Sequence, residues 1–442
     1  MDNWTTANLE DCLDALLDYR GKSPKKAPTG IPVLSAKVVK TDGLLRPIEQ
    51  TIAPDYYDKW MVRGLPAVGD VVMTTEAPLG EVIQLDDESV RYALGQRIVC
   101  MRGKEGVLDS TFLRYALVSP QQQANLAASA TGTTVLGISQ KALRRIEISF
   151  PEIVEQRKIG GLLAQIDDKI ELNRRMNETL EEMARALFRD WFVDFGPTRR
   201  QMEGATDPAA IMGQAFPPEK AAELAPLFPA RLGEAGLPEG WSLGLIGDLC
   251  ARIFSGGTPK TTEARYWGGE LPWLSSGETR DSFLLSTEKT ITQAGVDNSS
   301  TREANEGSTV IASAGQGKTR GQTSYLAFNS YINQSVVALE ANPNVLPASV
   351  LYLDLERRYE EFRSVSDAHS SRGSLTTKLL AGLPTVSAPK DVFAALGGVV
   401  GPLFEKIIAN KKESQTLAEL RDLLLPKLMS GEIRLKDAEA TL

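Results

Sequence analysis

A glycine-rich segment at residues 315–321, GQGKTRG, contains the Gly-Lys-Thr triplet of loops that bind nucleotide phosphates. The Walker pattern requires glycine at position 312, where this chain has Ala312, so an ATP site is not predicted. Backbone amides of such a loop, together with Lys318 and Arg320, can instead donate to DNA phosphates, which are the commonest protein–DNA contact. The segment is therefore a candidate for nucleic-acid contact.

Few residues of the chain are suited to acid–base, nucleophilic or metal chemistry. His369 is the only histidine, and Cys12, Cys100 and Cys250 are far apart in the sequence. Zinc sites need clustered cysteine and histidine ligands, and histidine is the commonest general base. The sequence also contains no glycine-rich cofactor fingerprint, nucleophile elbow or Asn-Pro-Pro-Tyr-type methyltransferase motif. We therefore expect a non-catalytic protein with no metal and no cofactor of its own.

Polar side chains follow two β-rich stretches that occupy equivalent places in the two halves of the chain. They are Thr74, Thr75 and Glu76 in the first half, and Ser313, Gln316, Lys318 and Arg320 in the second. Bases are distinguished by their pattern of hydrogen-bond donors and acceptors. Two loops with different polar side chains therefore suit a protein that recognises two different short DNA sequences. Ordinary divergence of loops after a duplication would produce the same difference, and both interpretations stay open on this observation alone.

The formal net charge of −8 argues against a nucleic-acid partner, but the distribution of charge matters more than its sum. Residues 20–41 contain six basic residues and no acidic one, and no acidic residue lies between Glu306 and Glu340. A solvated loop would have the same composition. The further candidate DNA-binding residues are Lys22, Lys25, Lys26, Lys37, Thr133, Thr134, Lys141, Lys260, Ser276, Arg372 and Lys378.

The element that must position these candidates is a long helix over residues 153–191. Its apolar residues recur at the alternating three- and four-residue step of a heptad seam, which predicts packing against another helix. No proline interrupts it, and at roughly 1.5 Å per residue the seam spans about 50 Å. The seam includes Leu163, Ile166, Ile170, Asn173, Asn177, Leu180 and Leu187.

A shift of 237 positions carries this seam onto a second one, which includes Leu403, Ile407, Asn410, Leu417 and Leu424. A duplication of this length predicts two copies of one domain related by an approximate two-fold axis, which makes the paired helices antiparallel. Two paralogous domains with coincidental amphipathic helices are the alternative. Asparagines that recur in the seam argue against it, because they cost stability and fix register. Pro402 is expected to kink the second helix or delay its start.

The predicted fold class is α+β: two mixed α/β globular domains separated by two long antiparallel coiled-coil helices in a pseudo-two-fold repeat. The predicted boundaries are a globular domain at 1–150, a helix at 151–195, a Pro-, Gly- and Ala-rich linker at 196–240, a second globular domain at 241–388, a second helix at 389–433 and a tail at 434–442. No apolar run approaches 18 residues and the N-terminus is acidic and polar, so we expect a cytoplasmic protein with no membrane partner.

Three segments resemble the central and distal conserved regions of the DNA-specificity subunit of type I restriction-modification systems. They are ISFPEIVEQRKIGGLLAQIDDKIELNRRMNETLEEMARALFRDWFVDF, LFPARLGEAGLPEGW and LRDLLLPKLMSGEIRL. The resemblance covers essentially the full chain. It implies that the globular domains are target-recognition domains, each reading one half of an interrupted site in double-stranded DNA.

The resemblance also implies the partners. The paired helices would set the gap between the half-sites and dock two methyltransferase (modification) subunits, which recruit a restriction and translocase subunit. S-adenosylmethionine, ATP and Mg are then expected only in those partners. Two alternatives remain. One is a recognition half split from a fused restriction-methylation enzyme, or one that serves another methylation-based defence, and the other is a coiled-coil adaptor that binds proteins alone.

Overall fold

The computed structural model describes residues 4–19, 21, 23–132, 135–315, 317–369 and 374–435. The chain forms two compact units. The first unit consists of Met1–Glu171 and Ser414–Leu442, and the second of Leu172–Glu413. Each unit therefore contains one globular domain and parts of both long helices.

The strands of the first unit are β1 (Thr5–Asn8), β2 (Leu13–Asp18), β3 (Ile31–Leu34), β4 (Val39–Lys40), β5 (Gly43–Leu44), β6 (Thr51–Ile52), β7 (Val71–Thr75), β8 (Leu79–Gln84), β9 (Ala93–Leu94), β10 (Ile98–Gly103) and β11 (Glu147–Phe150). Its short helices are α1 (Tyr57–Trp60), α2 (Ser110–Val118), α3 (Pro120–Ala128) and α4 (Gln140–Arg144). The first long helix, α5 (Ile153–Phe192), follows them.

The central sheet of the first unit has the order β2-β10-β7-β8, and all its neighbouring strands are antiparallel. Side chains alternate between the faces of a strand. Val71 and Met73 therefore enter a core with α2 and α5, whereas Val72 enters a second core with the small sheet β6-β3-β9. The sheet is buried on both faces, which explains its continuous apolar strands.

Local interactions define the ends of two elements in this domain. Asp109 caps α2 by accepting from the amides of Thr111 and Phe112. A 3-10 turn, Leu9–Cys12, leads into β2, which pairs with β10.

Residues 196–240, expected as a linker, are folded. They contain α6 (Gly196–Met202), α7 (Pro208–Ile211) and α8 (Pro218–Leu224). The ring of Phe228 lies edge-on to Trp191 with 5.0 Å between centroids, and Phe195 contacts Trp241 in the same way at 5.9 Å. Aromatic packing orders a composition that otherwise predicts a flexible connection.

The strands of the second unit are β12 (Ser242–Leu245), β13 (Cys250–Ser255), β14 (Trp267–Leu274), β15 (Phe283–Leu284), β16 (Lys289–Ile291), β17 (Arg302–Ala304), β18 (Thr309–Ala312), β19 (Thr323–Leu326), β20 (Ser330–Ile332), β21 (Val336–Ala341) and β22 (Pro384–Ser387). Its remaining helices are α9 (Ile246–Leu249), α10 (Gln293–Asp297), α11 (Ala348–Glu356), α12 (Tyr359–His369), α13 (Thr377–Ala381) and the second long helix α14 (Lys390–Met429).

The sequence repeat is present in the secondary structure. The central sheet of the second unit, β13-β21-β18-β19-β15, follows the order of the first with one strand added. The ladders β1–β11 and β12–β22 have the same antiparallel register. The helices α5 and α14 each have 40 residues and begin at Ile153 and Lys390, 237 positions apart.

The long helices run antiparallel where they meet in the second unit. Asn173 Nδ2 lies 2.8 Å from Glu413 Oε2 and 3.4 Å from the Asn410 carbonyl oxygen. Asn410 Nδ2 donates to Asn177 Oδ1 at 2.9 Å, and Asn177 Nδ2 lies 3.4 Å from the Ile407 carbonyl oxygen. Partner numbers fall as the α5 numbers rise, and the three asparagines are buried.

The other seam residues contribute to the two main cores. In the first unit, Leu163 and Ile166 share a core with Leu424, and Ile170 and Leu417 pack at its edge. In the second unit, a different core holds Ile407, with partly buried neighbours Leu180, Leu187 and Leu403. The seam therefore joins each globular domain to both long helices within its own unit.

Pro402 does not delay the start of the second long helix, which begins at Lys390 and continues through Pro402 and Pro426. The expected delay is therefore wrong, and the kink stays a prediction. A proline ring normally collides with the carbonyl four residues earlier. Here that residue is Gly398, and the helix continues across both positions.

By length and composition, α14 meets the criterion for a helix that can cross a membrane, which the sequence expectation had excluded. Its apolar residues Leu396, Val400 and Ile407 are buried in the core of the second unit. Packing inside the protein therefore accounts for these apolar residues, and one helix of this kind does not establish a membrane span.

Candidate nucleic-acid interface

The first tip is the loop region beyond the end of β7, formed by residues 75–78, 96–97 and 137–138. Thr75 is its anchor: its amide donates to the Arg97 carbonyl at 2.8 Å, and its carbonyl accepts from the Ile138 amide at 3.0 Å. A further bridge pairs Glu76 with Gly137. Three segments that are distant in sequence are thereby joined by main-chain hydrogen bonds.

The second tip lies at the equivalent end of β18 and is formed by residues 313–315, 317–322, 334–335 and 374–375. Ser313 takes the place of Thr75: its amide donates to the Ser335 carbonyl at 2.8 Å, and its carbonyl accepts from the Leu375 amide at 2.9 Å. These partners lie 237 or 238 positions after those of the first tip. The two units thus build their tips on the same main-chain framework.

Three of the predicted contact residues belong to this framework. The side chains of Thr74, Thr75 and Ser313 are buried. Thr74 Oγ1 accepts from the Glu81 amide at 2.9 Å, so its polar atom already has a partner inside the domain. The expectation that these side chains contact bases is corrected: they support the tips, because Thr74 and Thr75 belong to β7 and Ser313 directly follows β18.

The first tip exposes an ion pair. Arg97 Nε lies 2.8 Å from Glu76 Oε1, and 56% and 42% of the two side chains are exposed. Glu76 was singled out from sequence, but Arg97 was not. Arg97 is 21 positions from Glu76 and falls in no motif, so only its place between two strands, β9 and β10, marks it as a loop residue.

In the second tip, the loop of residues 313–322 is held by α12. Tyr359 Oη donates to the Lys318 carbonyl at 2.8 Å, and Arg363 Nη1 donates to the Gly317 carbonyl at 2.7 Å. These bonds fix the main chain and leave the Lys318 side chain exposed. The sequence did not indicate this role for α12, because Tyr359 and Arg363 lie 41 and 46 positions from the loop residues that they hold.

Arg320 differs from Lys318. Its guanidinium forms an ion pair with Asp367 of α12, and only 12% of its side chain is exposed. The expectation that Arg320 contacts DNA directly is therefore corrected: it holds the loop of the second tip against α12.

The remaining candidates divide by exposure. Lys25, Lys26, Lys37, Lys141, Lys260 and Lys378 are exposed, and Ser276 is half-buried. Lys37 pairs with Glu49 at 3.3 Å, and Lys260 with Glu263 at 3.5 Å. Lys141 and Lys378 occupy equivalent positions on α4 and α13, the helices that follow the two tips. Lys22, Thr133, Thr134, Gln316 and Arg372 lie outside the described residues.

The chemistry of the described residues favours binding. Among them, no group of three or more His, Cys, Asp or Glu side chains is arranged to hold a metal ion. Burial raises the pKa of Cys250 to about 12, and burial beside Asp70 raises the pKa of Cys100 well above its usual range. Both thiols are therefore protonated at neutral pH and are poor nucleophiles.

Each unit also has a cleft at the other end of its central strands. The cavity of the first unit has a volume of about 360 Å³ and that of the second about 330 Å³. They lie at the same place in the repeat but differ in charge. Equivalent lining residues are Asp70, Arg102 and Arg157 in the first and Ser308, Glu340 and Ala394 in the second.

Comparison with known proteins connects these features to a family. The model of the type I restriction modification DNA specificity domain matches residues 1–182 and 238–381, one match in each repeat. The specificity subunit of the type I restriction enzyme HindI from Haemophilus influenzae is 24% identical over 402 residues, which cover 83% of this chain and 86% of that protein. The MjaIX specificity subunit from Methanocaldococcus jannaschii is 23% identical over 373 residues, covering 84% and 78%.

The fold is similar to the crystal structure of the type I restriction-modification S subunit from M. genitalium. The TM-score is 0.60 at 18% identity, over 96% of both chains. Specificity subunits are the non-catalytic components of type I complexes. On the match of the family model to both repeats, this chain belongs to the family of type I restriction-modification DNA-specificity proteins.

Proposed function

We propose that this chain is the subunit that reads DNA for a type I restriction-modification complex, and that each globular domain reads one half of a bipartite site. The observation that carries the proposal is the pair of tips: one main-chain framework presents different exposed side chains, with Glu76 and Arg97 at one tip and Lys318 at the other. A reader of two unlike half-sites needs one scaffold with two chemistries, because bases differ in their donors and acceptors.

The long helices set the gap between the half-sites. Asn173, Asn177 and Asn410 are buried between the two long helices, and we call them the asparagine layer. The layer supports this role, because the hydrogen bond between Asn177 and Asn410 forms in only one register of the two helices. Half-sites about one helical turn apart, roughly 10 base pairs centre to centre, face the same side of the duplex.

The same helices dock two methyltransferase subunits. Leu172 and Met183 are exposed on α5, and Leu423 on α14, although each is a large apolar side chain. The clefts lie at the same place in the repeat, so each unit offers one site to a partner subunit although the two linings differ in charge. S-adenosylmethionine, ATP and Mg bind to the partner subunits. The methyltransferase subunits recruit the restriction and translocase subunit, which cuts the DNA. The complex acts in the cytoplasm.

The chain alone binds DNA weakly, because its net charge of −8 opposes the phosphates. Affinity should rise sharply on adding the methyltransferase subunits and fall steeply with salt. Tight and specific binding by the purified chain alone would contradict this part of the proposal.

The decisive experiment is methylation mapping of genomic DNA from a host with and without this chain. A bipartite methylated motif that appears only with the chain supports the proposal. Failure of the assembled complex to bind or methylate DNA specifically would leave an adaptor role and overturn the proposal.

Seven-residue insertions test the spacer. They should be placed in both helices, after Asn177 and before Ile407, because these residues face each other in the antiparallel pair. The matched insertion should lengthen the gap by about three base pairs, given about 1.5 Å per helical residue. An insertion in α5 alone is the control and should disrupt assembly. An unchanged gap in an active matched complex would show that the helices only dock partners.

A further inference from the structure

Backbone strain is concentrated at the first tip. Among the residues that the structure describes, four other than glycine have positive φ, and two of them, Ala77 at 56° and Arg97 at 62°, belong to this tip. A side chain with a Cβ rarely adopts this conformation, and such residues cluster at binding and active sites. One strained position, Arg97, belongs to the exposed Glu76–Arg97 pair, and the other, Ala77, directly follows Glu76 in the chain.

Arg97 is fixed at both ends. Its carbonyl accepts from the buried anchor Thr75, and its side chain contacts Glu76, whose own backbone is bridged to Gly137. The ionic contact is made through Nε. Guanine O6 and N7 accept from the two Nη groups of an arginine, so the contact with Glu76 is compatible with bidentate reading of guanine.

The residues at the equivalent positions of the second tip cannot form such a pair. Ser335 stands where Arg97 stands, and Ala314 where Glu76 stands. A pair required only to stabilise the shared framework would be needed in both units. The pair is present in one unit only, on the exposed side of a framework that is complete without it, which points to a role in ligand recognition.

We propose that Arg97 reads a guanine in the first half-site and that Glu76 is the positioning residue that orients its guanidinium. This inference rests on the proposed function and assigns a base and a residue to one of its two reading heads. It also assigns the strained backbone of Arg97 a role, because the left-handed conformation holds the side chain beside Glu76.

The test is Arg97→Gly in the complete complex with its methyltransferase partners. Glycine adopts positive φ without strain, so this variant should fold at least as well as the parent and melt at the same or a higher temperature. Discrimination for guanine at one position of the first half-site should fall by about 5- to 150-fold, the range for one bidentate contact. The second half-site should be unchanged.

Two further variants separate the recognition of guanine from the general attraction between a positive charge and DNA. Arg97→Lys keeps the charge but not the two-pronged geometry, so it should retain overall affinity and lose discrimination for guanine. Glu76→Gln should weaken discrimination at the same base without abolishing it. Full discrimination in Arg97→Gly, or an equal loss of affinity for all sequences, would overturn the inference. A parent complex without any sequence preference would instead refute the proposed function, so the two failures are distinguishable.

Discussion

The two units use the same elements but join their globular domain to the long helices with different chemistry. In the first unit, Asp167 of α5 pairs with Arg114 Nη2 of α2 at 2.7 Å and with Arg421 Nη1 of α14 at 2.8 Å. It also accepts a hydrogen bond from Tyr115 Oη at 2.7 Å. We call these four residues the ionic joint. It ties one domain to both long helices through a single carboxylate.

In the second unit, the position 237 residues after Asp167 is Phe404 of α14. The centroid of its ring lies 4.9 Å from that of Phe283, 5.2 Å from that of Tyr325 and 5.6 Å from that of Tyr352, and all three rings contact it edge-on. We call these four residues the aromatic joint. The duplicated scaffold therefore fixes where the joint lies and leaves its chemistry free, as it does at the tips.

The two joints should respond differently to single substitutions. Edge-on aromatic pairs add to stability beyond the burial of their area, and a buried ring leaves a cavity when it is removed. Loss of the Asp167 carboxylate instead removes the ionic partner of Arg114 and leaves Arg421 with its remaining pair to Asp422 at 2.9 Å. The comparison can therefore be tested one joint at a time.

The largest expected effect is that of Phe404→Ala. Phe404 is buried, so the loss of its ring should reduce the free energy of unfolding of the second unit by about 3 to 5 kcal/mol. Hydrogen exchange resolved by segment, with denaturant titration, measures the loss and assigns it to that unit. Phe404→Leu is the matched control and should cost less because it keeps most of the volume. A loss below about 1 kcal/mol for Phe404→Ala would show that the joint is not needed.

The next effect is that of Asp167→Asn in the ionic joint. The side chain of Asp167 is 14% exposed and those of its arginine partners 21% and 23%, so solvent screens the pairs in part. We expect a loss of about 1 to 3 kcal/mol, confined to the first unit. Asp168→Asn, at the exposed neighbouring position, should change stability by less than about 0.5 kcal/mol. Equal losses for the two variants would remove the distinction between the joints.

The features that could be predicted from sequence are those whose residue pattern repeats at a regular spacing along the chain. The heptad step predicted the long helices, and the shift of 237 residues predicted the equivalent sheets, because both are repeated many times along the chain. Asn173 and Asn177 were recognisable in the seam because polar residues there break an otherwise apolar pattern.

The tips were predicted in position but only partly in chemistry. Glu76–Arg97 and Arg320–Asp367 join residues 21 and 47 positions apart, and no local pattern encodes such a contact. Thr75 was misinterpreted because a threonine at a strand end looks exposed in sequence, whereas hydrogen bonds from two other segments bury it. Contacts across tertiary structure therefore decide which polar residues remain available for a ligand.

The asparagine layer gives a prediction with opposite effects on stability and on reading. Replacing Asn177 and Asn410 together by leucine should raise the stability of the second unit, because buried polar side chains in a seam cost free energy. It should also permit alternative registers, so that methylation mapping finds a mixture of gap lengths. Asn177→Leu alone is the control: it removes the acceptor of Asn410 Nδ2 and should destabilise the unit. A single unchanged gap in the double variant would show that the apolar seam residues fix the register.

The smallest expected effect concerns Lys318, and it distinguishes the two tips by what they contact. The Lys318 carbonyl is held by Tyr359 of α12 while its side chain is exposed, which suits a contact with a phosphate. A phosphate contact carries no sequence information, so Lys318→Ala should weaken binding of all sequences alike, by about 1 kcal/mol or less at physiological salt. One phosphate contact fewer should also reduce the slope of log affinity against log salt by about 0.9. Binding of the assembled complex to matched and mismatched duplexes at several salt concentrations measures both quantities. If Lys318→Ala instead changes the preference at one base of the second half-site, the loop reads bases, and the two tips differ only in which base each recognises.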